Sequence, residues 1–160
     1  MRRTFFGASV ILAALLNPVQ ASSSGDPKAF FQSKTVIIPK DPAIDKGGIG
    51  EDSADTDSTV LCVADGVGGW AKKGIDSGEF SRLLTRTVIK EHERDVAVDA
   101  KKLLMTGCQT AVKEKKGSST AVVLKLKSTG ENTAELETAN LGDSGYSIFH
   151  INKSTGKLSR

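Results

Sequence analysis

The sequence predicts an α+β fold in which antiparallel sheet carries helices on its outside. Two observations point there. The segments run as a hairpin, two helices and a meander, which is not the regular β-α-β alternation of a parallel sheet. The apolar period also changes after Gly117, from helical spacing to alternation. A chain of 160 residues, 38% hydrophobic and 26% charged, is long enough for one domain with a core of its own.

The first residues read as an address. Met1-Arg2-Arg3 is basic, Phe5 to Leu16 is apolar but short for a membrane span, and "NPVQA" brings a helix breaker and small residues. Residues 1–21 therefore read as a secretory signal peptide cleaved after Ala21. A mitochondrial presequence is the alternative, because the segment is acid-free, but the uninterrupted apolar run favours the secretory pathway. No stable membrane anchor is expected after processing. Residues 22–46 read as a linker with one edge strand, Lys34 to Ile38, and the core is expected to begin near Gly47.

Within residues 47–160, Ile49 to Ala54 and Thr59 to Ala64 read as the two arms of a hairpin. Asp76-Ser77-Gly78-Glu79 is a helix start in which Asp76 caps the free amides and Glu79 reaches back. Phe80, Leu83, Leu84, Thr87 and Val88 follow at helical spacing. A second helix starts near Asp99, carries Leu103, Leu104, Cys108, Ala111 and Val112, and ends at Lys115-Lys116-Gly117. Val122, Leu124 and Leu126 then alternate with Val123, Lys125 and Lys127, as in a strand with one wet face near its end. Thr133 to Asn140 and Tyr146 to Asn152 complete the meander. Lys157 to Arg160 looks like the start of a further strand with nothing after it to pair with.

Composition excludes several classes of function. The net charge of +3 falls to about +1 once Arg2 and Arg3 are removed, and no basic run is interleaved with aromatics, so nucleic acid is not an expected partner. Cys62 and Cys108 lack metal-ligand spacing and read as buried thiols. A cysteine-dependent phosphatase needs an arginine one short loop after its nucleophile, and Gly68 and Glu114 stand at those places.

The chemistry concentrates in "GEDSADTDSTVLCVADGVGGW", Gly50 to Trp70. An apolar strand stops at Asp65-Gly66, and Glu51-Asp52 lies one turn away in sequence. In a tight hairpin Glu51 faces Cys62; with a bulge or a residue or two of slack it sits beside Asp65. Either register gathers Glu51, Asp52 and Asp65 at one end. Cross-strand neighbours lie roughly 5 Å apart, so these carboxylates repel and raise a pKa unless a cation neutralises them. Oxygen ligands of this kind suit Mg²⁺ or Mn²⁺. Gly66 is expected to turn the backbone sharply so that its carbonyl can join them.

On composition alone these are solvated turn acids. An EF-hand loop starting at Asp55 fails at Val60 and Gly66, where it needs a glycine and an acid. Gly66-x-Gly68-x-x-Ala71 matches a dinucleotide fingerprint after a strand, but Asp65 would face the pyrophosphate and Trp70 would crowd the turn. "GDSG", Gly142 to Gly145, is the serine-protease nucleophile motif, yet upstream of it the histidine is His92, in a charged helical stretch.

Four motifs occur in order: "GED" (Gly50 to Asp52), "ADGVGGW" (Ala64 to Trp70), "GSSTA" (Gly117 to Ala121) and "ANLGDSG" (Ala139 to Gly145). Together they resemble the metal-dependent protein phosphatases of the PP2C class. The form "ADGVGGW…GIDSGEFSR" is more similar to the mitochondrial-type, Ptc7-like branch than to the common "DGHGG" branch. The resemblance implies a PP2C-like sandwich of two antiparallel sheets flanked by helices, with two Mg²⁺ or Mn²⁺ ions in a cleft at the sheet ends. By the same resemblance Asp65 bridges both metals, and Gly66 offers its backbone carbonyl. Glu51 holds the first metal, directly or through water, beside Asp52. Asp143 lies near a position that takes a further metal, and Asp65 and Glu51 are the catalytic acids. The family places an arginine or lysine shortly before "GED" to hold the phosphate, and Lys46 is the candidate here. His92 and His150 read as surface or strand residues rather than general acids.

The implied function is a serine/threonine protein phosphatase acting on phosphoproteins through metal-activated water. The family domain continues beyond "GDSG" with two more metal-binding aspartates. Residues 47–160 therefore read as an N-terminal, truncated portion whose own activity is impaired. The alternatives are a non-catalytic phosphoprotein- or metal-binding remnant and, behind it, a dinucleotide-binding domain.

Overall fold

A computed structural model of the chain describes residues 9–17, 29–38, 50–130, 133–152 and 154–159. In chain order these form strands β1 (Ser9–Asn17), β2 (Phe30–Ile38), β3 (Asp52–Thr56) and β4 (Val60–Gly66). A 3₁₀ turn (Gly68–Lys73) and helices α1 (Ser77–Arg94) and α2 (Ala100–Glu114) follow. Strands β5 (Ser119–Gly130), β6 (Thr133–Leu141), β7 (His150–Ile151) and β8 (Leu158–Ser159) complete the order. Strands β3-β4-β5-β6 make one antiparallel sheet, while β1-β2 and β7-β8 are separate antiparallel pairs. The α+β class and the hairpin–helices–meander order therefore stand.

Alternation along the strands gives the sheet two apolar faces. Val60, Cys62, Ala64, Ala121 and Val123 point at the helices and are buried with Phe80, Leu84, Val88, Leu103 and Ala111. Leu61 and Leu126 point the other way and pack with Phe31 of β2. Asp76 caps α1 by accepting from the Gly78 amide at 2.8 Å, and Asp99 caps α2 by accepting from the Lys102 amide at 2.8 Å. Glu79 does not reach back to the cap; it pairs with Lys115 at 2.8 Å, which ties the start of α1 to the end of α2.

Several sequence expectations shift. The edge strand is Phe30–Ile38 rather than Lys34 to Ile38, and it pairs with β1, whose residues lie inside the segment read as an address. The core starts earlier than Gly47, because Phe31 is buried against the sheet and its amide donates to the Ser58 carbonyl at 2.7 Å. The α1 interior follows Ser77, Ser81, Leu84, Thr85, Val88 and His92, so Leu83 and Thr87 fall to its flanks. Val112 lies outside the α2 face and is 70% exposed.

His92 is not a surface residue. It is buried, with Nε2 bonded to the Thr59 hydroxyl at 2.9 Å. Lys125 is not on a wet face either. Its buried ammonium donates to the carbonyls of Val96 (2.9 Å) and Val98 (2.5 Å) in the α1–α2 connection, which offsets its desolvation.

The meander also stops short. Of Tyr146 to Asn152, His150–Ile151 is strand, and it pairs with Leu158–Ser159 rather than with β6. Leu158–Ser159 thus has a partner, contrary to expectation. The chain is pinned just before it turns away: Asn140 Nδ2 donates to the Ser144 carbonyl at 2.7 Å, and the Thr120 and Ser144 hydroxyls bond at 2.5 Å.

Candidate active site

The register of β3 on β4 sets Asp52 directly opposite Asp65. Asp52 would face Leu61 in the tight hairpin and Val63 or Ala64 in the slack one, so the observed pairing lies beyond both, because β3 starts at Asp52 and the loop is Asp57 to Thr59. Asp52, not Glu51, is therefore the cross-strand partner of Asp65. The side chain of Glu51 lies instead over Gly68, where an added Cβ would stand 2.6 Å from Oε2.

Asp52 is 1% exposed, and neither oxygen of its ionised carboxylate has a hydrogen-bond partner, whereas the protonated acid can bond to the Asp65 side chain. Burial pushes its pKa up from 3.8 to about 7, and the charges of Asp65 and then Glu51 push the same way. A buried acid with unfilled acceptors, facing a second acid and flanked by a third, fits a hard cation on the chemistry of its donors. The convergence is incomplete: among the described residues, no three His, Cys, Asp or Glu side chains form a group that could hold a metal ion by themselves.

Gly66 plays a different part from the one expected. Its φ is not positive, so no sharp turn demands glycine. The demand comes from close approach. The Gly66 amide donates to the Glu51 carbonyl at 3.2 Å, and a Cβ would collide with that same oxygen.

The other motifs converge on this end of the sheet. Asp65 and Gly66 pair with Thr120 and Ser119 of β5. The Ser119 hydroxyl donates to the Asp65 carbonyl at 2.8 Å, and the Val67 amide donates to the Ser118 carbonyl at 2.9 Å. Trp70 is anchored by its indole N–H on Ser118 Oγ at 2.8 Å, with the Lys73 ammonium 5.0 Å from its ring centre. Thr120 then reaches Ser144 of "GDSG". "GSSTA" is thus the stitch between "ADGVGGW" and "GDSG". Sequence reasoning gave it no such role; the signal was three adjacent hydroxyl residues at a strand start.

Of the predicted site residues, the structure brings Glu51, Asp52, Asp65 and Gly66 together. Asp143 is exposed on a turn at the same sheet end, held there through its neighbour Ser144. Lys46 lies outside the described residues. His150 is exposed in β7, away from this corner. Cys62 is buried, which drives its thiol far above the ordinary range and removes it as a nucleophile.

No family model matches the sequence. Over 138 residues the chain is 39% identical to the protein phosphatase PTC7 homolog fig of Drosophila pseudoobscura pseudoobscura, covering 79% of this chain and 36% of that protein. It is 35% identical over 101 residues to the protein phosphatase 2C homolog 7, mitochondrial, of Saccharomyces cerevisiae, covering 57% and 28%. Among solved structures, the photosystem II phosphatase PBCP superposes with a TM-score of 0.50 at 27% identity, over 84% of this chain and 44% of that one. The chain spans roughly a third of the fly relative and less of the yeast one. In sequence and in fold, the chain is similar to the PP2C-type protein phosphatases, the Ptc7-like proteins among them, over the part of their length that it spans.

Proposed function

We propose that this chain builds the metal-binding corner of a metal-dependent serine/threonine protein phosphatase acting on phosphoproteins. The observation that carries the proposal is the Asp52–Asp65 pair, in which a buried carboxylate without hydrogen-bond partners faces a second acid. Two such groups repel unless a proton or a cation sits between them. The cations proposed are Mg²⁺ or Mn²⁺, two of them, with Asp143 near a further position.

In this reading Asp65 would be the ligand common to both ions, the Gly66 carbonyl would join it, Glu51 would hold the first metal directly or through water, and Asp52 would stand beside it. Lys46 is the proposed phosphate-holding cation. Bound there, divalent metal lowers the pKa of a water and neutralises phosphoryl oxygens for in-line attack. The chain's own part is to hold its carboxylates at fixed spacing. The Glu51 main chain is locked to Gly66, and the Asp65 main chain is locked to Ser119. Cys62 stays protonated and out of reach, in keeping with attack by water rather than by the protein.

The test is turnover of phosphoserine and phosphothreonine peptides with and without Mn²⁺. Asp65→Asn should remove most of the activity. Equal rates in excess chelator, or wild-type rates in Asp65→Asn, would sink the reading. The second reading is binding of metal or phosphoprotein without turnover. Saturable Mn²⁺ binding with no hydrolysis would select it.

Residues 1–21 are proposed as a targeting segment, by signal peptide to the secretory pathway or by import into the mitochondrion. The yeast relative is a mitochondrial protein, which supports the second destination. Among the described residues no helix is long and apolar enough to cross a membrane.

A further inference from the structure

Helix α1 begins with Ser77-Gly78-Glu79-Phe80-Ser81-Arg82, capped by Asp76. Its apolar residues explain its packing on the sheet, but its polar residues do something else. The Ser77 hydroxyl donates to the Val67 carbonyl at 2.8 Å. The Ser81 hydroxyl donates to the Glu51 carbonyl at 2.6 Å, closer than its own helix carbonyl at Gly78, 3.1 Å away. Arg82 Nη1 donates to the Gly50 carbonyl at 3.1 Å, while Nη2 is held by Asp76 Oδ2 at 2.9 Å. The carbonyls taken are Gly50, Glu51 and Val67, the main chain on both flanks of the acidic corner.

Resting on the phosphatase reading, we propose that Ser77, Ser81 and Arg82, braced by Asp76, form a clamp that fixes the spacing of Glu51 and Asp65 and so sets the affinity of the corner for its metal. These are positioning residues, since none touches the reacting atoms.

Three points favour a clamp over plain packing. A serine inside a helix ordinarily bonds back to its own preceding turn, whereas Ser81 makes its shorter bond outward. Ser77 and Ser81 are both essentially fully buried, so a shift of the corner would strand the Ser77 hydroxyl and leave Ser81 only its longer bond to Gly78, with no water to replace the lost acceptors. Gly78 keeps the gap between them narrow: a Cβ there would stand 2.7 Å from the Gly50 carbonyl oxygen and 2.9 Å from Asp76 Oδ1. The contacts with the corner are made to main-chain carbonyls, so the clamp acts on the backbone that carries the acids.

Groups that orient metal ligands from behind typically change affinity by about 10- to 100-fold when removed. The experiment is a Mn²⁺ titration of the protein, read by the paramagnetic resonance of the free ion. It is run on wild type, Ser81→Ala, Arg82→Met, Arg82→Lys and Val88→Ala, with thermal melting in chelator alongside. Ser81→Ala and Arg82→Met should each raise the Mn²⁺ midpoint by about tenfold or more. Arg82→Lys, which keeps one charged donor, should recover part of the loss. Val88→Ala truncates the core on the same helix and should lower the melting point while leaving the midpoint in place.

A wild-type midpoint in folded Ser81→Ala and in Arg82→Met overturns the clamp. So does an equal shift in Val88→Ala, which would make the effect one of general stability. Should Ser81→Ala fail to fold, the Arg82 pair decides, because that side chain lies at the partly exposed edge of the helix. A wild-type protein that neither binds Mn²⁺ nor hydrolyses phosphopeptide overturns the phosphatase reading, and the clamp falls with it.

Discussion

Asp52→Asn should make the metal-free protein more stable at high pH, and the size of the effect follows from the site. The Asp52 carboxyl is raised from 3.8 to about 7 by burial, then by Asp65 and Glu51. A raised acid binds its proton more tightly in the folded state than in the unfolded one. Its stabilising contribution is therefore complete below pH 3.8 and is lost as pH rises through about 7. At about 1.4 kcal/mol per pH unit, the loss approaches a ceiling of about 4 kcal/mol.

Asparagine cannot ionise, so it carries no such slope. Its amide brings donors of its own, and leaving them unpaired costs about 1–3 kcal/mol at every pH. The diagnostic is therefore the change in the difference between the two proteins, not the difference at one pH. Urea unfolding in excess chelator should show Asp52→Asn gaining on wild type by up to about 4 kcal/mol between pH about 4 and about 8. Saturating Mn²⁺ should abolish that gain, because the cation supplies what the proton supplied. A gap between the two proteins that stays flat with pH, or that widens toward acid, would refute the assignment of Asp52 as a buried, charge-crowded acid.

Gly68→Ala should push Glu51 aside, because the new Cβ would stand 2.6 Å from Oε2; the expected result is a weakened metal response with little change in melting temperature in chelator, read by Mn²⁺ titration and calorimetry. His92 is held neutral in the folded chain, since burial lowers its pKa below 6.5 against the opposing pull of Asp57. The unfolded chain then takes up a proton that the folded one refuses, so this contribution is complete above pH 6.5 and declines as pH falls toward the folded value. A His92→Gln variant should lose that slope in acid unfolding curves. Lys125→Met should strand the Val96 and Val98 carbonyls and cost about 1–3 kcal/mol by urea unfolding, despite the loss of a buried charge; a more stable variant would show that the ammonium is a net burden.

Much of the sheet and both helices were legible because alternation, caps and apolar spacing are local signals. Asp76 and Asp99 announce the helix starts by chemistry confined to a few residues. What escaped was non-local. The offset that puts Asp52 rather than Glu51 opposite Asp65 depends on where the Asp57–Thr59 loop closes, and there Asp57 accepts from the Thr59 and Val60 amides in a tight side-chain turn. Lys125 and His92 looked wet because they are polar, and only in three dimensions are the loop carbonyls brought to the Lys125 ammonium and the Thr59 hydroxyl to His92 Nε2, whose Nδ1 stays without a partner. Gly66 was expected to serve a sharp turn, but its need for a bare Cα comes from Glu51 rather than from its own dihedral. The second half of the meander failed because a strand signal says nothing about which edge it will join.

The stitching of the corner by "GSSTA" also sets an order of events. Ser119 and Asp65 are 54 positions apart, and Trp70 and Ser118 are 48. Contacts that close such long loops form after local ones and slow the search for the native state. As the chain emerges and begins to fold, the β3–β4 hairpin and α1 can assemble from neighbours in sequence, while the acidic corner waits for β5 to arrive. The β3–β4 hairpin already sets Asp52 opposite Asp65, but the edge of β4 beside Asp65 stays open to water until Thr120 of β5 pairs there. The arrival of β5 closes that edge, so the final step of maturation is the one that sharpens the demand for a proton or a metal. A folding reaction run in Mn²⁺ should accordingly differ from one in chelator in its last phase, with the early phases superimposing.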